Sequence, residues 1–229
     1  LNGYQHLSSH PEVQVVAIVD PREDRRKTAA RLFEGSRAFE SFDELLASGV
    51  GVDVALIAAP HVVHFELGMK AINAGLHVFI EKPMTTDPGD AAALVDAARA
   101  AGTVFMVNNT ANFTAQCEEA ARMVETGSLG AVEHVACHMA GAMREIIGGE
   151  IKEMASTWAD PNRSGGYGWG QLSHILAWVF RVSGLAPSEV FCYMGLGPSG
   201  VDFYSATTVR CTSGATISVS GAATLPDQT

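Results

Sequence analysis

The sequence predicts an α/β chain: a parallel sheet with crossover helices, followed by an α+β domain with a mostly antiparallel open sheet. Up to residue 107, short and nearly continuous apolar runs alternate with helical segments, as in a parallel sheet covered on both faces. A polar run, Asn108-Asn-Thr-Ala-Asn112, then breaks the pattern. Beyond it, apolar and polar residues alternate with period two, as in strands with one buried face. The boundary falls after residue 108, giving domains 1–108 and 109–229.

In the first half, Val13 to Val19 reads as a strand ending at Asp20-Pro21, and Arg22 to Phe33 has helical composition. Ser41-Phe-Asp-Glu44 has the spacing of a capping box at the start of a short helix. Val52 to Pro60 is an apolar run ended by proline, His64 to Asn73 is helical, and Gly75 stops it. His77 to Ile80 is the next strand. It ends at Glu81-Lys82-Pro83, because Pro83 lacks the N–H that a ladder needs. Asp87 to Ala101 is Ala-rich and helical, Gly102 closes it, and Thr103 to Val107 is one more strand.

In the second half, Ala115 to Glu125 is an amphipathic helix stopped by Gly127 and Gly130. Val132–His138, Val190–Met194, Thr207–Cys211 and Thr216–Ser220 read as strands, and Ser173 to Phe180 has apolar residues at helical spacing. The glycine-rich lead-in from Gly165 to Gly170 lets backbone approach a ligand closely. Gly195-Leu-Gly-Pro-Ser-Gly200 fits a nucleotide-binding pattern but precedes strand-like residues, and Pro198 lacks an N–H. A phosphate cradle must open a helix, so this segment reads as a hairpin loop.

In open α/β sheets, ligands bind at the carboxyl ends of strands, where Glu81 and Lys82 fall. The order of the pieces resembles the Gfo/Idh/MocA family of NAD(P)-dependent oxidoreductases. The resemblance rests on the strand ending in Asp20, on Ala59-Pro60 with His64 four residues on, on Gly75-Leu-His-Val-Phe-Ile-Glu-Lys-Pro83, and on the segment around His174. It implies a Rossmann-type first domain and hydride transfer between a nicotinamide and a sugar, inositol or related polyol. The opening residues, with Gly3 as the last glycine of the pyrophosphate turn, then imply that the first strand lies ahead of Leu1, and further residues are expected after Thr229.

By the same resemblance, Gly3, Asp20, Arg22, Ala59, Pro60, His64, Glu81 and Lys82 surround the cofactor. Asp20 accepts ribose hydroxyls and favours NAD, while nearby Arg22 leaves NADP as the alternative. Asp20 also suits a helix cap, with Pro21 at the first helical position. Lys82 polarises the reacting oxygen and His174 is the acid/base. Where the family carries an Asp four residues before that His, this chain has Gly170, with Gln171 beside it. Tyr167 and Trp169 are expected to wall a sugar ring, with Asn109, Asn112 and Gln171 as hydroxyl readers. Two alternatives stand: an enzyme of this fold that holds NAD for transient oxidation, of glycosidase or epimerase type, and a binding protein without turnover.

A net charge of −10 disfavours nucleic acid and anionic membranes as partners. No apolar run approaches the length of a spanning helix. Cys117, Cys137, Cys192 and Cys211 lie far apart and read as reduced core residues of a cytoplasmic protein. His61, His64, Cys137 and His138 can be drawn together as a metal site, but each pair suits a strand end or a sheet face, and no metal is expected. The resemblance implies a homo-oligomer, a dimer or tetramer.

Overall fold

The computed structural model describes residues 4–151 and 157–224. The chain divides into two compact units. One comprises Leu1–Ile57, Glu66–Phe79 and Leu94–Phe105; the other comprises Ala58–Phe65, Ile80–Ala93 and Met106–Thr229. The residues just beyond the carboxyl ends of two central strands therefore group with the second half of the chain, although they are close in sequence to the first.

The first half runs β1 (Ala17–Val19), α1 (Glu23–Leu32), β2 (Arg37–Phe39), α2 (Phe42–Ala47), β3 (Val54–Ile57), α3 (His64–Asn73), β4 (His77–Glu81), α4 (Pro88–Ala101) and β5 (Phe105–Asn108). β1 and β2 pair in parallel with Ala17 opposite Arg37, while β3, β4 and β5 form a second sheet in that order. The expected cap forms on its serine side: Ser41 Oγ accepts from Glu44 N at 3.2 Å, while the Glu44 carboxylate accepts from Glu40 N, one residue before the cap, at 2.8 Å. Gly75 ends α3 in the left-handed region at φ 77°, where a side chain would strain the turn.

Three differences from the sequence expectations have local causes. The strand expected over 13–19 is paired only over 17–19, because its partner β2 is itself three residues long. β2 escapes a sequence reading, since three residues between Gly35 and Ser41 are too few for a period to register. Burial is uneven in β3, an edge strand of its sheet: the side chains of Ala55 and Ile57 are buried, whereas Val54 is 51% exposed. The alternation of the pleat overrides the uniformly apolar composition.

The second half continues with α5 (Ala115–Glu125), β6 (His134–Ala140), α6 (Arg144–Gly148), a π-turn at Gly168–Leu172, α7 (Ser173–Ser183), β7 (Pro187–Leu196), β8 (Asp202–Cys211) and β9 (Thr216–Ala222). Its sheet has the order β6-β9-β8-β7. β7–β8 and β8–β9 are antiparallel and β6–β9 is parallel, so the sheet is mostly antiparallel as expected. Its inner face, with Phe203, Val209, Ile217 and Val219, packs on Leu172 and on Val179 of α7 to form the main core cluster. Phe191, Tyr193 and Tyr204 stand exposed on the sheet.

The segment Gly195–Gly200 spans the last two residues of β7 and most of the hairpin connection to β8. Its glycines make room for aromatic rings: a Cβ at Gly195 would overlap Tyr204, and one at Gly197 would overlap Phe203. All four cysteines are free, Cys117 and Cys211 buried and the other two half-buried. Among the described residues no helix is long and apolar enough to cross a membrane.

Candidate active site

β4 ends where Pro83 withholds its N–H, and the chain turns sharply through a cis Lys82–Pro83 bond. Three hydrogen bonds fasten this turn to the segment leading into α7. Lys82 Nζ donates to Gly170 O at 2.8 Å, Trp169 Nε1 to Thr85 O at 3.0 Å and Ser164 Oγ to Thr86 O at 3.1 Å. Thr85 Oγ1 donates within the turn to Asp87 O at 2.6 Å. Glu81 faces Asn108 at the end of β5, where Asn108 Nδ2 donates to Glu81 Oε1 at 2.9 Å. Lys82 and His174, residues remote in sequence, thus belong to one compact cluster.

Burial dominates the electrostatics. It pushes the Lys82 ammonium below the ordinary lysine range, with Glu81 partly opposing. His174 is lowered by burial and then by the positive charge of Lys82, again with Glu81 opposing. A lysine lowered by desolvation beside a histidine kept neutral is an arrangement suited to accepting and returning a proton. Lys82 Nζ also sits over the ring of Trp158, 5.3 Å from its centroid.

His61 is a member of this cluster that sequence reasoning considered only as a metal ligand. Its ring meets Trp158 edge-on at 5.8 Å and His64 at 5.7 Å. Burial, followed by His64 and Lys82, lowers its pKa to about 4, so it is neutral at physiological pH. Trp158 was missed altogether, and no sequence signal marks it, because its partners lie about a hundred positions away along the chain or across a loop. Among the described residues no group of three or more His, Cys, Asp or Glu side chains could hold a metal ion.

Several expected site residues take other parts. Tyr167 is 1% exposed in the core cluster and cannot wall a sugar ring; the hydrophobic effect outweighs its phenol. His64 is wholly buried, with Nδ1 3.0 Å from Pro83 O and Nε2 2.9 Å from Ala59 O. It ties two strand-end turns together and does not present its ring to a cofactor. The glycine-rich lead-in does allow close approach, but by the protein's own groups. A Cβ at Gly166 would overlap the Asp202 carboxylate, and one at Gly170 would overlap the Trp158 ring. Trp169 is 39% exposed, and Gln171 is half-buried on the π-turn.

Five buried polar atoms in this unit lack a hydrogen-bond partner among the described residues: His61 Nδ1, Asn109 Oδ1, Asn112 Oδ1, Ser173 Oγ and, on β8, Ser205 Oγ. Orphaned acceptors and hydroxyls of this kind cost stability unless a ligand meets them. At the end of β1, Asp20 Oδ1 accepts from Arg22 N at 2.8 Å, and the helix starts later, at Glu23 with Arg22 as its N-cap. Asp20 is therefore not the cap of that helix. Its other carboxylate oxygen has no hydrogen bond among the described residues, which fits a ribose hydroxyl. The Arg22 guanidinium is drawn aside to Asp24 at 2.7 Å. Gly3 lies outside the described residues.

The fold is thus a parallel α/β sheet domain followed by an α+β domain with a mostly antiparallel sheet, and the candidate site lies within the second compact unit. The chain belongs to the GFO/IDH/MocA oxidoreductase family: residues 2–109 match its NAD-binding Rossmann fold, and residues 117–229 match its C-terminal domain. It is 28% identical over 199 residues to the 2,7-anhydro-N-acetylneuraminate hydratase of Escherichia coli, covering 86% of this chain and 50% of that protein. It is 34% identical over 130 residues to a dTDP-3,4-didehydro-2,6-dideoxy-alpha-D-glucose 3-reductase of Actinomadura kijaniata, covering 57% of this chain and 39% of that protein. Among solved structures, the WlbA dehydrogenase from Bordetella pertussis, in complex with NADH and UDP-GlcNAcA, superposes with a TM-score of 0.86 at 23% identity, over 99% of this chain and 64% of that one. The chain spans about half or less of the length of these two curated relatives.

Proposed function

We propose that this chain supplies the dinucleotide-binding domain, 1–108, and the substrate-binding domain, 109–229, of an enzyme that transfers a hydride between NAD and a sugar, inositol or related polyol. The observation that carries the reading is the Lys82 ammonium, desolvated at the carboxyl end of β4 and held 2.8 Å from Gly170 O in a cluster with His174. The orphaned Asn109, Asn112 and Ser173 oxygens add hydroxyl-reading capacity.

NAD supplies the hydride acceptor at the reacting carbon. The chain's own residues have the remaining tasks. Asp20 holds the adenosine ribose, which favours NAD over NADP. Lys82 hydrogen-bonds the reacting oxygen and, being desolvated, gives up a proton more readily than a surface lysine. His174, neutral by burial and by the charge of Lys82, accepts the hydroxyl proton in oxidation and returns it in reduction. Asn109 and Asn112 orient the neighbouring hydroxyls, Trp169 offers the apolar wall, and Gln171 orients without titrating.

Absorbance at 340 nm, followed with NAD and separately NADP on the whole protein against inositols, hexoses and their keto or acid derivatives, tests this. Signal with NAD and one polyol class supports the reading, and silence across the panel with NAD binding intact overturns it. A second reading is favoured by the relative named as a hydratase, which covers 86% of this chain. In that case the NAD is held and the oxidation is transient, with product formed but no free NADH. The proposed setting is a cytoplasmic homo-oligomer assembled through the outer face of the β6-β9-β8-β7 sheet.

A further inference from the structure

The surroundings of Gly170 are unusual for a glycine. A Cβ built on it would overlap the six-membered ring of Trp158, with Cζ3, Cε3 and Cη2 as its nearest atoms. The same indole lies under the Lys82 ammonium at 5.3 Å, and the carbonyl of Gly170 accepts from that ammonium at 2.8 Å. Trp158 is itself fixed: Gly166 N donates to Trp158 O at 2.9 Å, and the His61 ring abuts the indole edge-on at 5.8 Å. Among the described residues Lys82 has no ion-pair partner within salt-bridge distance.

We propose that Trp158 and Gly170 act as one positioning unit for Lys82, in which the indole occupies the space of a side chain at 170 and an aromatic face plus a main-chain carbonyl take the place of a carboxylate. The physical logic is exchange. A carboxylate beside Lys82 would hold the amine as a fixed ion pair and keep it charged. An indole face attracts the ammonium more weakly, excludes water and leaves the proton more labile. The two positions are mutually exclusive in volume, so a side chain at 170 requires a small residue at 158. This inference rests on the reading of Lys82 as the group that meets the reacting oxygen, but its test does not need a substrate.

The test uses the whole protein with Trp158→Ala, Gly170→Asp, the double variant and Trp158→Phe. Thermal melting provides one measurement. The second is the pH dependence of Lys82 acetylation by acetic anhydride, read by peptide mass spectrometry. Gly170→Asp alone should melt well below the parent, and the double variant should lose less than the sum of the single losses, by about 3 °C or more. In the double variant the new carboxylate should raise the pH of half-maximal Lys82 labelling by about one unit or more, whereas Trp158→Phe, which keeps a ring, should leave it near the parent value. Additive melting losses overturn the proposal, as does a double variant with the parent labelling profile. If both results come out as expected while no polyol reduces NAD, the positioning unit stands and the assigned reaction fails.

Discussion

Lys82 and His174 influence each other through charge, and this gives the site a testable pH behaviour. Burial and the Lys82 ammonium both disfavour protonated His174, so its proton-accepting form persists below the ordinary histidine value of about 6.5. Removing the ammonium with Lys82→Met should raise the His174 titration midpoint, as an imidazole NMR titration would read, and an unchanged midpoint would break the link. The same substitution should lower kcat/KM for hydride transfer by about 10²- to 10⁴-fold, the usual share of a positioned proton-transfer group.

His61 is depressed from 6.5 to about 4 by burial, so the unfolded chain binds its proton more readily than the folded one. Folding stability is therefore unaffected by this group above about pH 6.5 and falls as pH drops from 6.5 towards 4. Urea denaturation at pH 7 and pH 4.5 should therefore show a smaller pH difference in His61→Gln than in the parent.

At the scale of elements, the start of the helix carrying His174 is set by a strand. Asp202, the first residue of β8, accepts from Gly168 N at 2.7 Å, with further main-chain donation from Tyr167, and Gly166 has no side chain to obstruct it. Burial nonetheless raises the Asp202 carboxyl, desolvation outweighing these donors. The charged cap therefore contributes less stability as pH rises above the usual carboxylate range, and what it supplies is the direction of the π-turn. Asp202→Ala, which leaves buried N–H groups unpaired, should cost about 2 kcal/mol in denaturant unfolding. Asp202→Asn keeps an acceptor oxygen without the buried charge and should cost less; equal losses would remove the capping role. α3 and α5 were legible to the residue, His64–Asn73 and Ala115–Glu125, because each combines an apolar stripe with a glycine just past its end. β2 was not, since a three-residue strand is created by its partner.

Across the whole molecule, the sheet of the second half leaves Phe191, Tyr193 and Tyr204 exposed, with Phe191 and Tyr193 edge-on at 5.0 Å. Aromatic patches of this sort are covered in stable assemblies. Tyr193→Asp together with Phe191→Asp should convert the proposed oligomer to single copies in sedimentation velocity, with the 340 nm assay reporting whether assembly supports turnover. A parent protein that sediments as one copy would rule the assembly out.

The family resemblance supplied the candidacy of Lys82 and His174, whereas the residues by themselves determined the order of most strands and helices, the Glu81-Lys82-Pro83 strand end and the hairpin at Gly195–Gly200. These rest on periodicity, on missing N–H groups and on glycine conformations, all of which act over a few neighbouring residues. Only the tertiary structure decided that Tyr167 is core, that His64 is a latch between main-chain carbonyls, and that Trp158 and His61 surround Lys82. The same holds for the glycines of the lead-in, which serve Asp202 and Trp158. Burial and close approach depend on which distant residues fold against a position, and no local pattern encodes that.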